Sequence, residues 1–322
     1  MGYAAFQAIR ILISAVVGFI VALGITPLIT SLITRLEFKK QIRSAESAPI
    51  FAKLHKKKEG TPTAGGIIIW GTALILAIVF YFLPFFNFID RAQTYLPLAS
   101  FFVAALVGLA DDILGIMRRG PKGGGIAMSQ KLLVYCAISL VGALWFYYRL
   151  DWDVLNIPFW HNVNMGFWYI PFFMFIIIAS AFSVNETDGL DGLAGGVMLF
   201  AFAALTVIAF TLGRYHLAAF NAVVVGALLA FLWFNIFPAR FFMGDTGSMA
   251  LGITLGVTAM LTNTALLLPF LAIIPVVESL SVIIQLTSKK LRGKKIFHST
   301  PIHHHFEALG WPESQITMRF WI

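Results

Sequence analysis

The chain of 322 residues holds a single cysteine and little charge. Cys136 on its own can form no intrachain disulfide and no cysteine-based zinc site, and its apolar surroundings read as packing. Charged residues are 12% of the total, about half the usual share of a soluble domain. Hydrophobic residues make up 59%, and mean hydropathy is +0.85. That balance excludes an ordinary soluble globule and indicates a membrane protein. The formal charge of +8 reads as membrane topology, because cytoplasmic loops collect Lys and Arg, and no nucleic-acid partner is expected. The N-terminus lacks a small-residue cleavage site. Its apolar stretch is too long for a secretory leader and runs into a basic loop, so it is read as the first span.

A spanning helix needs about 20 mostly apolar residues. Such runs lie at 11–33, 64–83, 95–110, 131–148, 167–184, 193–212, 217–236, 248–262 and 265–287. The last two are divided at Thr262-Asn263-Thr264, the polar break in a run too long for one helix. This division makes the loops alternate. The odd-numbered loops and their edges then hold every Lys and Arg except Arg10, Arg91, Arg149, Arg214 and Arg319. The positive-inside rule places those loops in the cytoplasm and the N-terminus outside. The opposite loop at 149–168, rich in Trp and Phe, reads as an interfacial belt or a short hairpin. The fold class is therefore an all-α polytopic membrane protein of about nine spans, a single domain over 1–322 with its active site on the cytoplasmic face.

Carboxylates near a membrane segment are costly and point to function. Asp111 and Asp112 in GLADDILG stand where the third span meets the inner side. Helix neighbours diverge by about 100°, so one faces a site while the other is held by a neighbour. In SVNETDGLDGLAGG, Asn185, Asp188 and Asp191 are spaced to share one helical face, beside glycines that let a ligand approach the backbone. In FFMGDTGSMALG, Asp245 is either a helix N-cap or a cation ligand, with free N–H groups of the helix start turned to phosphate. Lys56, Lys57 and Lys58 are membrane anchors, or one of them meets phosphate beside the Gly60-Thr61-Pro62-Thr63 turn. Glu278, after Pro269 and Pro275 in a kinked helix, faces protein or water, either as a structural pair or as a substrate contact. Gln285 lies on the same helix face. Together these groups suit a phosphorylated substrate with Mg²⁺ and a lipid reactant.

TPTAGG, GLADD, NETDGLDG, FMGDTGS and PIHHHFE, in this order, resemble the polyprenyl-phosphate N-acetylhexosamine-1-phosphate transferase superfamily. PIHHHFE and the downstream GWPESQITMRFWI resemble its MraY family, the phospho-N-acetylmuramoyl-pentapeptide transferases. The match runs from about residue 55 to the end. The resemblance implies transfer of phospho-N-acetylmuramoyl-pentapeptide from its UDP donor to undecaprenyl phosphate, giving lipid I and UMP, with Mg²⁺ required. It implies a multi-pass protein of the bacterial inner membrane, in the lipid bilayer, acting on the cytoplasmic side as a homodimer. By position, Asp245 matches the metal ligand, and Asp111 and Asp112 match the pair near the lipid phosphate, one acting as base. Lys58, Thr63, Asn185, Asp188, Asp191, Asn235, Phe242, Gly244, Ser248 and Gln285 match substrate-binding positions. His303, His304 and His305 match the histidine motif, with His304 placed among the catalytic residues.

Two departures stand out. Gly115 occupies the place of a basic residue in the family's DDxxK pattern, which leaves Arg118, Arg119 or Lys122 to supply its charge. The family has ten spans, whereas this chain stops at RFWI where a tenth is due, so a truncated C-terminus is expected. Adjacent histidines diverge on a helix or strand and make a poor zinc site. PIHHHFE is instead expected to wall a phosphoryl-transfer site, with at most two imidazoles facing in. The nearest alternative is a sister transferase that uses UDP-N-acetylglucosamine. A carboxylate-lined transporter fits less well, because the acids gather at one face rather than along a path.

Overall fold

The computed structural model describes residues 2–38, 58, 60–120 and 124–322. Lys39, Lys40, Arg43, Lys53, Lys56, Lys57 and Lys122, which entered the topology reading, lie outside the described residues. The chain forms α1 (Tyr3–Arg35), α2 (Ile67–Tyr81), α3 (Tyr95–Ile116), α4 (Met128–Arg149), α5 (Tyr169–Thr187), α6 (Leu193–Thr211), α7 (Tyr215–Asn235), α8 (Asp245–Leu261), α9 (Leu268–Leu271), α10 (Ile273–Arg292), α11 (Ile302–Ala308) and α12 (Glu313–Trp321). The loop after α4 carries a small hairpin, β1 (Val154–Asn156) paired antiparallel with β2 (Asn162–Asn164).

Among the described residues, six helices are long and apolar enough to cross a membrane: α1, α3, α4, α5, α6 and α7. The helical turns of 265–271 and α10 make a seventh if counted as one span, although they bend by 89° at Ala272. The ninth run is thus no straight helix. Pro275 stands in the first turn of α10 and lacks the N–H that would bond back to Leu271, which favours a break just before it. The runs at 64–83 and 248–262 become α2 and α8, of 15 and 17 residues. Both are shorter than the span length used to place them.

The short α8 is accounted for by its surroundings. Every residue from Thr246 to Leu261 is buried. The helix packs between α3 and α5, so protein rather than lipid surrounds it and no lipid thickness sets its length. By contrast, α1 and α4 turn Leu12, Val16, Leu28, Leu133 and Val141 outward, as lipid contact requires. The chain does break at Thr262–Thr264, where the Asn263 side-chain oxygen accepts the N–H of Asn156 in the hairpin.

The expected single helical face of Asn185, Asp188 and Asp191 is not formed. Helix α5 ends at Thr187, Asp188 leaves helical geometry at φ −77° and ψ 55°, and α6 starts after Gly192 at φ +76°. The glycines that were read as making room for a ligand also turn the chain here. Asn185 stays on the helix, while Asp188 and Asp191 occupy the turn.

Candidate active site

The carboxylate cluster is built where the ends of α3, α4 and α5 meet the start of α8. A Cβ on Gly108 would lie 2.3 Å from the Asp245 carbonyl oxygen, so α3 and α8 approach backbone to backbone. That contact sets the aspartates of α3 beside Asp245. Lys131 of α4 bridges them, donating to Asp111 Oδ2 at 2.8 Å and to Asp245 Oδ2. Asp111 Oδ1 also accepts the N–H of Ile126. On its other oxygen, Asp245 accepts Asn185 Nδ2 at 3.1 Å, and the same amide donates to Ser248 Oγ at 2.9 Å. Two carboxylates this close repel, and the ammonium between them offsets the repulsion.

Asp112 does something different. Its Oδ1 accepts the N–H of Asp245 and its Oδ2 that of Thr246, each at 3.1 Å. It therefore caps α8 from another helix and supplies acceptors for otherwise orphaned donors. This corrects the N-cap reading of the FMGDTGS start and the expectation of free N–H groups there. Asp245 is not the N-cap, because Gly244 occupies that position at φ +74° and offers no side-chain cap. The first N–H groups are not open to phosphate either. A side chain at Gly244 is excluded twice over, by its positive φ and because a Cβ would lie 2.5 Å from Asp112 Oδ2 and 2.8 Å from Thr63 Oγ1.

Beside this cluster lies a cavity of about 720 Å³, lined by Lys58, Asp191, Phe242, Glu307, Trp311 and Glu313 among others. Lys58 Nζ stands 2.6 Å from Asp191 Oδ1, pairs with Glu313, and sits 5.7 Å from the centre of the Phe242 ring. The second Asp191 oxygen accepts the Ala239 N–H at 3.0 Å. Burial lifts the Glu313 carboxyl above its ordinary range, against the downward pull of the Lys58 ammonium. Two chain segments join cavity and cluster: the 185–191 turn, and the strip from Phe242 to Asp245.

Other expected residues do not line the cavity and instead brace the segments around it. Asn235 accepts the Gly192 N–H at 3.1 Å and donates to the Phe241 carbonyl at 2.8 Å. The Gln285 amide is spent on the backbone of Ile296 and Phe297 and so ties down the loop before the histidines. The histidines diverge. His303 Nδ1 lies 3.0 Å from Glu278 Oε2, with both side chains fully buried. His304 Nδ1 lies 2.6 Å from Glu307 Oε2. His305 Nδ1 accepts the His298 N–H at 3.2 Å, and the two rings stack. Glu278 thus faces protein.

Lys131 and Glu313 were not singled out in the sequence. Lys131 looked like one more inner-side lysine at a loop edge. Glu313 sat within GWPES, which carried resemblance but no assigned chemistry. Of the expected substitutes for the missing DDxxK cation, Arg118 and Arg119 are exposed and Lys122 lies outside the described residues, while Lys131 places a positive charge at Asp111.

Acids, an amide and a lysine, gathered at one end of an apolar helical bundle beside a cavity edged by lysine and aromatic rings, define a polytopic membrane protein with a polar transfer site. The model described as "Glycosyl transferase family 4" matches residues 94–263, and the chain belongs to that family. Its curated relatives are named phospho-N-acetylmuramoyl-pentapeptide-transferase. One from Clostridium perfringens (strain 13 / Type A) is 42% identical over 313 residues, covering 97% of this chain and 94% of the relative. Another from Thermoanaerobacter sp. (strain X514) is 38% identical over 316 residues, covering 97% and 95%. A third from Chloroflexus aurantiacus is 40% identical over 324 residues, covering 97% and 85%. Likeness at this level over nearly the whole length places the chain in the phospho-N-acetylmuramoyl-pentapeptide-transferase branch.

Proposed function

We propose that this protein transfers phospho-N-acetylmuramoyl-pentapeptide from its UDP donor to undecaprenyl phosphate on the cytoplasmic side of a bacterial inner membrane. The observation that carries the reading is the convergence of Asp111, Asp245 and Asn185 around Lys131, next to a cavity large enough for a nucleotide. An oxygen of the lipid phosphate forms a bond to the phosphorus attached to the sugar. The bond between that phosphorus and the bridging oxygen breaks, and UMP leaves with the electron pair. Such a transfer rests mainly on positioning and charge neutralisation.

Each group has a task. Asp111 takes the proton of the lipid phosphate, while Asp112, held by the start of α8, keeps Asp245 in place. Asn185 orients Asp245, and Lys131 offsets negative charge between the reactants. Lys58 and Phe242 receive the nucleotide, with Asp188 and Asp191 in the turn beside them. His304, backed by Glu307, stands at the cavity's Glu307 side. His303 and His305 complete the histidine segment. Thr63, Asn235, Gly244, Ser248 and Gln285 brace the segments around the site.

Mg²⁺ fits the donor set. Asp245 and Asp111 already converge on one cation, the Lys131 ammonium. Among the described residues no cluster of three or more His, Cys, Asp or Glu is arranged to hold a metal. Mg²⁺ asks for no such cage, since it takes one or two carboxylates and fills its shell with water and phosphate oxygens. Asp245 would hold it, with Asp111 beside it, and the ion would draw charge from the transferring phosphate.

Nine crossings, with the site inside, reconcile this chemistry with the basic loops. In that arrangement α2 and α8 cross as short helices enclosed by their neighbours, and a homodimer in the bilayer is the proposed assembly. A transfer assay on the purified protein tests the proposal. UMP release is expected with undecaprenyl phosphate and UDP-N-acetylmuramoyl-pentapeptide, and its loss is expected with EDTA. Release from UDP-N-acetylglucosamine alone would overturn the donor, and solute flux in liposomes without UMP release would overturn the enzyme.

A further inference from the structure

Helix α12 grips the turn that edges the cavity. Glu313, Thr317 and Trp321 are spaced four apart and so share one helical face. All three bond to the same short stretch. Glu313 Oε1 accepts the Asp191 N–H at 2.7 Å and also the Lys58 ammonium. Thr317 Oγ1 donates to the Asp191 carbonyl at 3.1 Å. Trp321 Nε1 donates to the Gly192 carbonyl at 3.3 Å. The indole lies so close to α6 that a Cβ on Gly196 would be 2.1 Å from Nε1. Buried Ile316 anchors the same helix.

A single oxygen of Glu313 thus holds both a main-chain donor of the Asp191 turn and the ammonium at the cavity edge. Asp191 is 3% exposed, so removing that acceptor costs its N–H a bond made within the protein. Among the described residues, Lys58 would keep the Asp191 carboxylate and the Phe242 ring.

We propose that Glu313 is a positioning residue for the donor: from α12 it fixes Lys58 and the Asp191 turn in the geometry that receives the nucleotide. This rests on the donor-site reading given above. The bonds of Glu313 run to Lys58 and the Asp191 turn, whereas those of Lys131 run to Asp111 and Asp245, so loss of Glu313 weakens donor capture more than chemistry.

Steady-state kinetics of the full-length protein in detergent, with UDP-N-acetylmuramoyl-pentapeptide and undecaprenyl phosphate varied in turn, tests this. For Glu313→Ala, donor KM rises about tenfold, the size of one lost charge-assisted hydrogen bond. The lipid KM and kcat stay within about threefold of the native values. Glu313→Gln, which keeps an acceptor for the Asp191 N–H, recovers most of the donor KM. An unchanged donor KM in Glu313→Ala overturns the proposal. So does a rise in both KM values alongside a lowered thermal midpoint, because that marks loss of structure alone. Native protein that releases no UMP from this donor refutes the donor-site reading itself, and the proposal with it. A native protein that turns over normally while Glu313→Ala matches it refutes only the role of Glu313.

Discussion

The Asp112 carboxylate of α3 caps the helix that begins at Asp245, accepting the N–H groups of Asp245 and Thr246 at 3.1 Å each. Two acids that appear in separate motifs are thus one device. The first holds the backbone from which the second projects, and Asp111, next to the first in sequence, faces the second through Lys131.

Asp112→Ala removes two acceptors from buried N–H groups. It is expected to destabilise the fold by about 1–2 kcal/mol, the usual worth of an N-cap, and to disturb Asp245. A lower thermal midpoint in detergent checks this. Asp112→Asn, which keeps one oxygen acceptor, should fall between the alanine variant and the native protein.

Asp245→Ala should behave in the opposite way. The Asp245 carboxylate bonds to Lys131 and Asn185, side chains of the site. UMP release should be abolished while the thermal midpoint changes little. Near-native turnover at saturating Mg²⁺ would remove Asp245 from the metal site.

Lys131→Met leaves Asp111 and Asp245 facing each other without a cation. Breaking a buried charged group in this way is strongly unfavourable, and loss of a charge-stabilising donor costs about 10²–10³ in kcat. Turnover should fall by at least about a hundredfold. Arg118→Ala and Arg119→Ala, both on exposed side chains, should each stay within about twofold, as surface changes usually do. Parallel rate measurements on the three variants decide which cation serves Asp111.

Gly108→Ala tests the close approach that creates the cluster. The added methyl meets the Asp245 carbonyl at 2.3 Å and the Thr246 Cα at 2.6 Å. Backbone cannot step aside as a side chain can, so overpacking of about 1–3 kcal/mol is expected. Both folded yield and UMP release should drop. Normal values for both would show that α3 and α8 can separate without harm to the site.

The acids and their order along the chain were legible in the sequence because carboxylates stand out against so apolar a background. The break at Thr262–Thr264 was legible for the same reason. Helix length was less so. Hydropathy registers apolar residues but not whether lipid or protein surrounds them, and α8, enclosed on all sides, was scored like a lipid-facing span. The stretch at Asp188–Gly192 was placed between spans, but the shared helical face that the spacing suggested was not formed, because spacing alone does not show where glycines stop a helix.

Composition determined that the chain lives in a membrane, and the Lys and Arg pattern carries the proposed division of its loops into two groups. Both follow from solvation, which acts on each residue nearly independently of the others. The pairing of Lys131 with Asp111 and Asp245, the cap by Asp112, and the hold of Glu313 on Lys58 and Asp191 were decided only by tertiary structure. These partners lie up to 255 residues apart. A lysine that looks like an anchor on the inner side becomes part of a site only when packing leaves a carboxylate as its nearest neighbour.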